Sequence, residues 1–311
     1  MKARCQRRSL AQARRAPDGS GRFSACWVHS AFSLVEVLVA VSLMAVMVIG
    51  LLAMFNQVQR AFRGSMTQTD ILQSGRSLQE MLTRQIEQIA PCYISATNLA
   101  PGSRTILLPG VNIAVQPIVG QLQSLPGSVE FRSNVLERFY FLTRENQQWV
   151  TYDYLAVPDT AYATLGALYL YETNFPVSMI PTSPTNIWFS KTPQTLATLR
   201  PGPRRVADGI IHFEVRAYDT NGMLMVPAVN LPNLQVMPGQ LGVPMYRFYS
   251  NALPASLEVE FAILEPQVLE RFRSLAGNPT TAAKFLADQA GRVHLFRQRI
   301  PLRNAEILAY P

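Results

Sequence analysis

The chain has 311 residues, 48% of them hydrophobic and only 15% charged, with a formal net charge of +8. That length and apolar share suffice for one sizeable folded body and exclude a disordered or low-complexity chain. Three cysteines exclude a disulfide-dense secreted scaffold.

Residues 1–30 hold Lys2, Arg4, Arg7, Arg8, Arg14, Arg15 and Arg22 against Asp18, seven positive charges to one negative, a net +6. The basic balance therefore belongs to a leader, and the rest of the chain carries only +2. A nucleic-acid role, which needs basic residues on the folded body, loses its support. A basic flank before an apolar helix instead reads as a cytoplasmic end, with the body translocated. Cys5 and Cys26 lie in this leader, so Cys92 is alone in the remainder and has no internal disulfide partner. The segment Phe23-Ser24-Ala25-Cys26 faintly resembles a lipoprotein box, but it precedes the apolar stretch instead of following it.

Residues 37–55 form a run of 19 without a charge. At a rise of about 1.5 Å per residue a helix of that length spans a bilayer core of ~30 Å. A secretory signal is the rival, but its apolar region is shorter, about 7–15 residues, and ends in a small-residue cleavage motif absent here. Glu36 stands at the edge of the run. A carboxylate in lipid is disfavoured by up to ~3 kcal/mol at a helix centre and by less near an end. It either snorkels to the headgroups or meets a positive charge. A cut between Ala31 and Phe32 would supply one, as an α-ammonium on Phe32 of a neighbouring, axially shifted subunit.

The stretch Ala31-Phe32-Ser33-Leu34-Val35-Glu36-Val37-Leu38-Val39-Ala40 resembles the cleavage and methylation site of type IV prepilins and type II secretion pseudopilins. Ala31 stands where that family carries glycine. The resemblance implies a membrane peptidase that cuts before Phe32 and methylates its new amine. It also implies that Glu36 guides filament assembly.

Residues 56–90 continue the helix up to Pro91, and Leu78, Leu82, Ile86 and Ile89 recur on one face. Gly64 and Gly75 each weaken it by about 1 kcal/mol relative to alanine. The expected division is a leader at 1–31, a membrane half-helix at 32–55, an amphipathic half-helix at 56–90 and a β-rich domain at 91–311. Within that domain, 91–128 reads as a variable loop with one or two short strands, at 105–108 and 111–115, and Cys92 as a small residue past the helix end. A hairpin follows, 138–143 and 148–156 about a Glu145-Asn146 turn, then a strand at 168–173. Residues 174–205, with six prolines, read as an extended loop.

Ile211, Phe213, Val215 and Ala217 alternate with His212, Glu214, Arg216 and Tyr218 as a strand, and Asn221-Gly222 signals a hairpin. Asp219 and Asn221 lack the further oxygen ligands a calcium loop needs. A Pro-rich insert covers 227–254, another strand 257–263, two short helices 266–276 and 279–289, and a last strand 292–300. Gly277 ends the first helix, Asn278-Pro279 starts the second, and Gly291 ends it.

Residues 205–215, Asn221-Gly222, 253–259 and the closing Arg-rich strand resemble the J-type minor pseudopilin of type II secretion, as does Arg76 with 82–86 on the helix. A pilin-like cassette protein of the Verru_Chthon type is a near alternative. The Pro-rich inserts and the two-helix insert depart from a compact J-type body. The resemblance implies an α+β fold, a long helix on an antiparallel sheet, with Leu78, Leu82, Ile86 and Ile89 docking the domain. It implies a minor subunit that primes or caps a filament, in secretion or in a type IV pilus or DNA-uptake fibre. Its partners would be the prepilin peptidase, other minor and major subunits and the inner membrane, crossed once, with the domain periplasmic. No cofactor, nucleic acid or small-molecule substrate is expected.

Two other classes compete with this one. His29, His212 and His294 are dispersed, and no metalloprotease, nucleophile-elbow, P-loop or CxxC pattern occurs, which argues against an enzyme. Glu258 and Glu260 alternate with apolar residues as a solvated strand face would. A membrane-anchored adhesin or carbohydrate-binding module could use Tyr162, Tyr169, Tyr171 and Trp188, although aromatic strand residues are more often packing.

Overall fold

The computed structural model describes residues 33–91, 111–124, 131–159, 165–176, 202–226, 234–239, 242–249, 252–275 and 277–303. The chain divides into two compact units, Met1–Gln59 and Arg60–Pro311. The fold class is α+β, a long apolar amino-terminal helix and a mostly antiparallel sheet domain.

Helix α1 runs Leu34–Ile86. Its most apolar window has a mean hydropathy of 2.8, and none of that window is buried, so the helix is long and apolar enough to cross a membrane. Farther along, Ile71, Gly75, Leu78, Leu82 and Ile86 are buried on one stripe. The helix ends four residues before the expected stop at Ala90. Gln88 N–H bonds Gln85 O and Ile89 N–H bonds Ile86 O, the tighter spacing common at helix ends. Leaving the helix lets Ile89 bridge Thr143 in the sheet, and its side chain is buried there.

Nine strands follow: β1 (Val111–Ser124), β2 (Phe131–Glu145), β3 (Gln148–Pro158), β4 (Gly166–Pro176), β5 (Arg204–Tyr218), β6 (Leu234–Pro238), β7 (Pro244–Tyr249), β8 (Ser256–Leu264) and β9 (Val293–Pro301). Helices α2 (Pro266–Ser274) and α3 (Pro279–Asp288) lie between β8 and β9. The order across the sheet is β6-β7-β1-β2-β3-β4-β5-β8-β9, so β6 and β9 are its edges. One further pairing, Leu136 with Phe213, joins β2 directly to β5 in parallel. Strands β2 to β5 thereby close into a small ring. From that contact β2 and β5 diverge, and the β3–β4 hairpin fills the fork.

Several expectations are corrected. β1 is a 14-residue strand where a loop with short strands was expected. Its bulge between Pro117 and Val119 absorbs the proline that disguised it. The Pro-rich insert contains the β6–β7 hairpin, with Pro238 and Pro244 paired at its closed end. The Asn221-Gly222 turn uses positive φ only at Gly222, at 78°, while Asp219 Oδ1 accepts from Asn221 N–H and Met223 N–H. The first short helix stops at Ser274, before Gly277, because Leu275 N–H already closes on Phe272 O. Asn278 caps α3 by accepting from Thr281 N–H, and a short 3₁₀ turn, Ala290–Arg292, contains Gly291. Ala31, Phe32, Cys5, Cys26, Cys92, Tyr162, Trp188, residues 105–108 and most of 174–205 lie outside the described residues.

The main core joins the α1 stripe to Ile113, Phe139, Phe141, Tyr154, Phe213, Phe248, Phe261 and Phe296. A second, smaller core gathers Leu165, Ile211 and Leu264 under Val268, Leu269 and Phe272 of α2 and Ala282 and Leu286 of α3. Ile210 enters the first core and Ile211 the second, as consecutive strand residues face opposite ways. The two-helix insert thus supplies its own core. Gly75 has a packing reason: a Cβ there would collide with the Phe296 ring, whereas Gly64 faces open space. Gly75→Ala should lower domain stability by about 1–2 kcal/mol, overpacking exceeding the helix-propensity gain. Gly64→Ala should leave it equal or raise it by up to ~1 kcal/mol. Urea unfolding of both variants measures the contrast.

Candidate functional site

Two places gather polar groups where apolar neighbours make them costly. The first is the start of α1. Ser33 O accepts from Glu36 N–H and Val37 N–H at 2.9 and 3.2 Å, closing the first turn. Glu36 lies in that turn, where the positive end of the helix dipole favours a carboxylate. It is exposed, and so are its apolar neighbours Leu34, Val35, Val37 and Leu38. Among the described residues, none forms a hydrogen bond or ion pair with its carboxylate. Ala31 and Phe32, its expected companions, lie outside the described residues. Leu78, Leu82, Ile86 and Ile89 are 4%, 1%, 0% and 1% exposed and belong to the main core.

The second place is the fork between β2 and β5, which sequence reasoning missed. Beside the Leu136–Phe213 contact, two backbone donors are met by side chains. Val135 N–H donates to His212 Nδ1 at 3.1 Å, and Val215 N–H donates to Glu137 Oε2 at 2.6 Å. Both acceptors are buried. The imidazole's other nitrogen, Nε2, lies 3.4 Å from Glu214 Oε2 and 3.7 Å from Glu260 Oε1. Its contact with Glu214 is an ion-pair distance without hydrogen-bond geometry, and Glu137 Oε1 has no hydrogen-bond partner either.

A ladder of charges extends from this fork across β5, β8 and β9. Glu214 faces Glu260 across the β5–β8 pairing, and Arg216 faces Glu258. Arg216 grips Glu214 through Nε and Nη2 at 2.7 and 2.6 Å, and its Nη1 reaches Glu260 and Glu258 at 3.2 and 3.3 Å. Arg297 Nη2 meets Glu258 Oε1 at 2.8 Å, and Tyr218 OH donates to the same oxygen at 3.1 Å. Arg299 lies 3.9 Å over the Tyr218 ring. Glu258 and Glu260 therefore do not form a solvated face: Glu258 is 6% exposed and both are held by arginines. The overlooked signal is His-x-Glu-x-Arg-x-Tyr on β5 facing Ser-x-Glu-x-Glu on β8. Two glutamates directly opposite repel, and this pattern places a cation beside them.

The fork sets two carboxyls apart. Burial pushes Glu137 well above the usual carboxylate range, outweighing the Val215 hydrogen bond, with the Glu214 charge adding and Arg216 opposing. Burial would also raise Glu214, but His212 and the Arg216 fork prevail and hold it below that range. Separated carboxyls of this kind can divide proton-holding from charge-bearing roles. Here both are engaged in joining strands. Among the described residues, no group of three or more His, Cys, Asp or Glu is placed to hold a metal ion. Tyr169 and Tyr171 are half-buried on β4, and Tyr171 lines a groove of about 520 Å³ with Glu172, Asn174 and Arg204.

Comparison with protein-family models, with curated proteins and with solved structures gives no match for this chain.

The buried acid makes a pH prediction. Glu137 in the folded chain keeps its proton above 4.5, where the unfolded chain has released its own. The folded state then binds more protons, so stability falls as pH rises through that window. Glu137→Gln keeps an acceptor for Val215 N–H and removes the titration. The variant should gain stability over the parent at about pH 8 and gain less at about pH 5. Thermal or urea unfolding at both values tests the sign.

Proposed function

We propose that this chain is a minor subunit of a pilin-like filament, matured by a prepilin peptidase and anchored through α1 in the inner membrane. The observation that carries the reading is one carboxylate, Glu36, in the first turn of a helix whose membrane-length apolar window is unburied. A tether needs no acid there, and lipid penalises one. A filament subunit does need it.

In this reading the peptidase hydrolyses the Ala31–Phe32 bond and methylates the amine freed on Phe32. The Phe32 ammonium of one subunit pairs with Glu36 of another and fixes their axial register. Each charge offsets the desolvation of the other, which apolar packing alone could not do. The basic leader stays cytoplasmic and the sheet domain is periplasmic. Repeated head-to-tail contacts of one kind generate an open helical assembly. The chain performs no covalent chemistry itself. Secretion of the type II kind is the preferred setting, with this chain in the J-type position at the filament tip; a type IV pilus or DNA-uptake fibre is the alternative.

Amino-terminal sequencing and intact mass of the membrane-extracted protein, from cells with active prepilin peptidase, test the reading. A chain that begins at Phe32 with one added methyl group is expected. A chain that retains its leader beside active peptidase overturns it, and α1 is then only an anchor. Glu36→Ala should insert into the membrane normally and lose co-purification with partner subunits by about tenfold or more, since breaking a buried pair removes several kcal/mol.

A further inference from the structure

The two acceptors that close the β2–β5 fork respond differently to acid. A protonated carboxyl still accepts through its carbonyl oxygen, so Glu137 keeps Val215 N–H at any pH. An imidazole nitrogen accepts only while it carries no hydrogen. Because His212 Nδ1 accepts from Val135 N–H, the ring hydrogen of the neutral form sits on Nε2, toward Glu214 and Glu260. A second proton can enter only at Nδ1. There it puts one N–H against another, at the end of a strand pairing that has a single backbone match.

We propose that the β2–β5 fork is an acid-released latch: a proton taken from solvent onto His212 Nδ1 withdraws the acceptor from Val135 N–H, and β2 parts from β5 at Val135 while Glu137 keeps its hold on Val215 N–H and β5 stays on β8. The surrounding charges set which side lets go. On β5, Glu214 faces the imidazolium and Arg216 neutralises part of that charge. On β8, Glu260 faces it directly and Glu258 lies beyond, shared between Arg216 and Arg297 of β9. On β2, Glu137 adds an acid held back by burial, and on β7 Tyr246 contributes only a neutral ring, its hydroxyl bonded to Met225 O. The net field on the β5–β8 side is acidic and retains a charged ring. On the β2 side the Val135 N–H stands against Nδ1 and is repelled. Nine backbone positions of β8 continue into β9, and eight of β5 into β8, so that half of the sheet holds without the latch.

The test is amide hydrogen exchange of the full chain in detergent, corrected for the intrinsic pH dependence of exchange. It runs from about pH 8 to about pH 5, the interval in which histidine changes charge. Protection at Val135 should fall by about tenfold with acid, the effect of losing one buried hydrogen bond. Protection at Val215 and at Val259 on β8 should persist. His212→Asn places an amide oxygen where Nδ1 stood and cannot titrate in this range, so it should hold Val135 at both ends. Glu260→Gln removes a carboxylate from the retaining side and should move the opening midpoint to lower pH. That second variant keeps the test decisive if His212→Asn does not fold. Unchanged Val135 protection in the parent overturns the latch. So does joint loss at Val135, Val215 and Val259, or a midpoint indifferent to Glu260→Gln. Neither processing nor assembly enters the measurement, so this inference stands apart from the filament reading.

Discussion

The sheet domain depends on one burial: the stripe Ile71, Leu78, Leu82, Ile86 and Ile89 against the sheet's aromatic face. Each of these side chains contributes on the order of 1.5–3 kcal/mol when removed from water. No other described element covers that face so extensively. The absent side chain at Gly75 and the early helix stop at Ile86 both serve the same contact. Gly75 admits the Phe296 ring, which also stacks on Phe261 at 5.1 Å. Tyr154 adds a polar tie by donating its hydroxyl to Gln85 of α1, so the stripe is fixed in rotation as well as depth.

The charged ladder on β5, β8 and β9 does a different job. Buried ion pairs contribute little net stability, because desolvation cancels most of the attraction. They do penalise every arrangement that separates them. A one-residue slip of β8 along β5 would turn Glu258 and Glu260 into the apolar side and leave Arg216 with Glu214 alone. Register here is specified by charge, and along the β2–β3 hairpin by aromatic contacts such as Phe141 with Tyr152 and Tyr154 together with the buried Arg138–Asp153 pair at 2.6 Å.

What the sequence made legible follows from range. The α1 stripe, the β2–β3 hairpin, β8, β9 and the cap at Asn278 are local patterns, and local periodicity reveals them. β1 and the β6–β7 hairpin stayed hidden because Pro117, Pro238 and Pro244 read as breakers, yet one falls at a bulge and two at strand ends, where a missing N–H is tolerated. The fork was illegible for a deeper reason. His212 and Glu137 are 77 and 78 residues from the backbone donors they satisfy, and nothing near either residue signals that distant need. Glu36 draws attention in the sequence because an acid at the edge of an apolar run is conspicuous by itself. Its geometry with Phe32 was not, since the proposed pairing joins two different subunits.

The position of β9 at the sheet's edge has a consequence for solubility. Among the described residues no strand pairs with the outer side of β9, and an edge of nine residues left so offers backbone groups to any second strand, including the same strand of another copy. Short length protects β6, which has five residues and ends at a proline. β9 has no such shortness, but it carries Arg297 and Arg299 and is flanked by Arg292 and Arg303. Two copies meeting antiparallel along this edge would bring guanidinium against guanidinium, while the compensating glutamates stay behind on β8. Like-charge repulsion thus guards the one long edge against edge-to-edge aggregation, and neutralising those arginines would expose the chain to it.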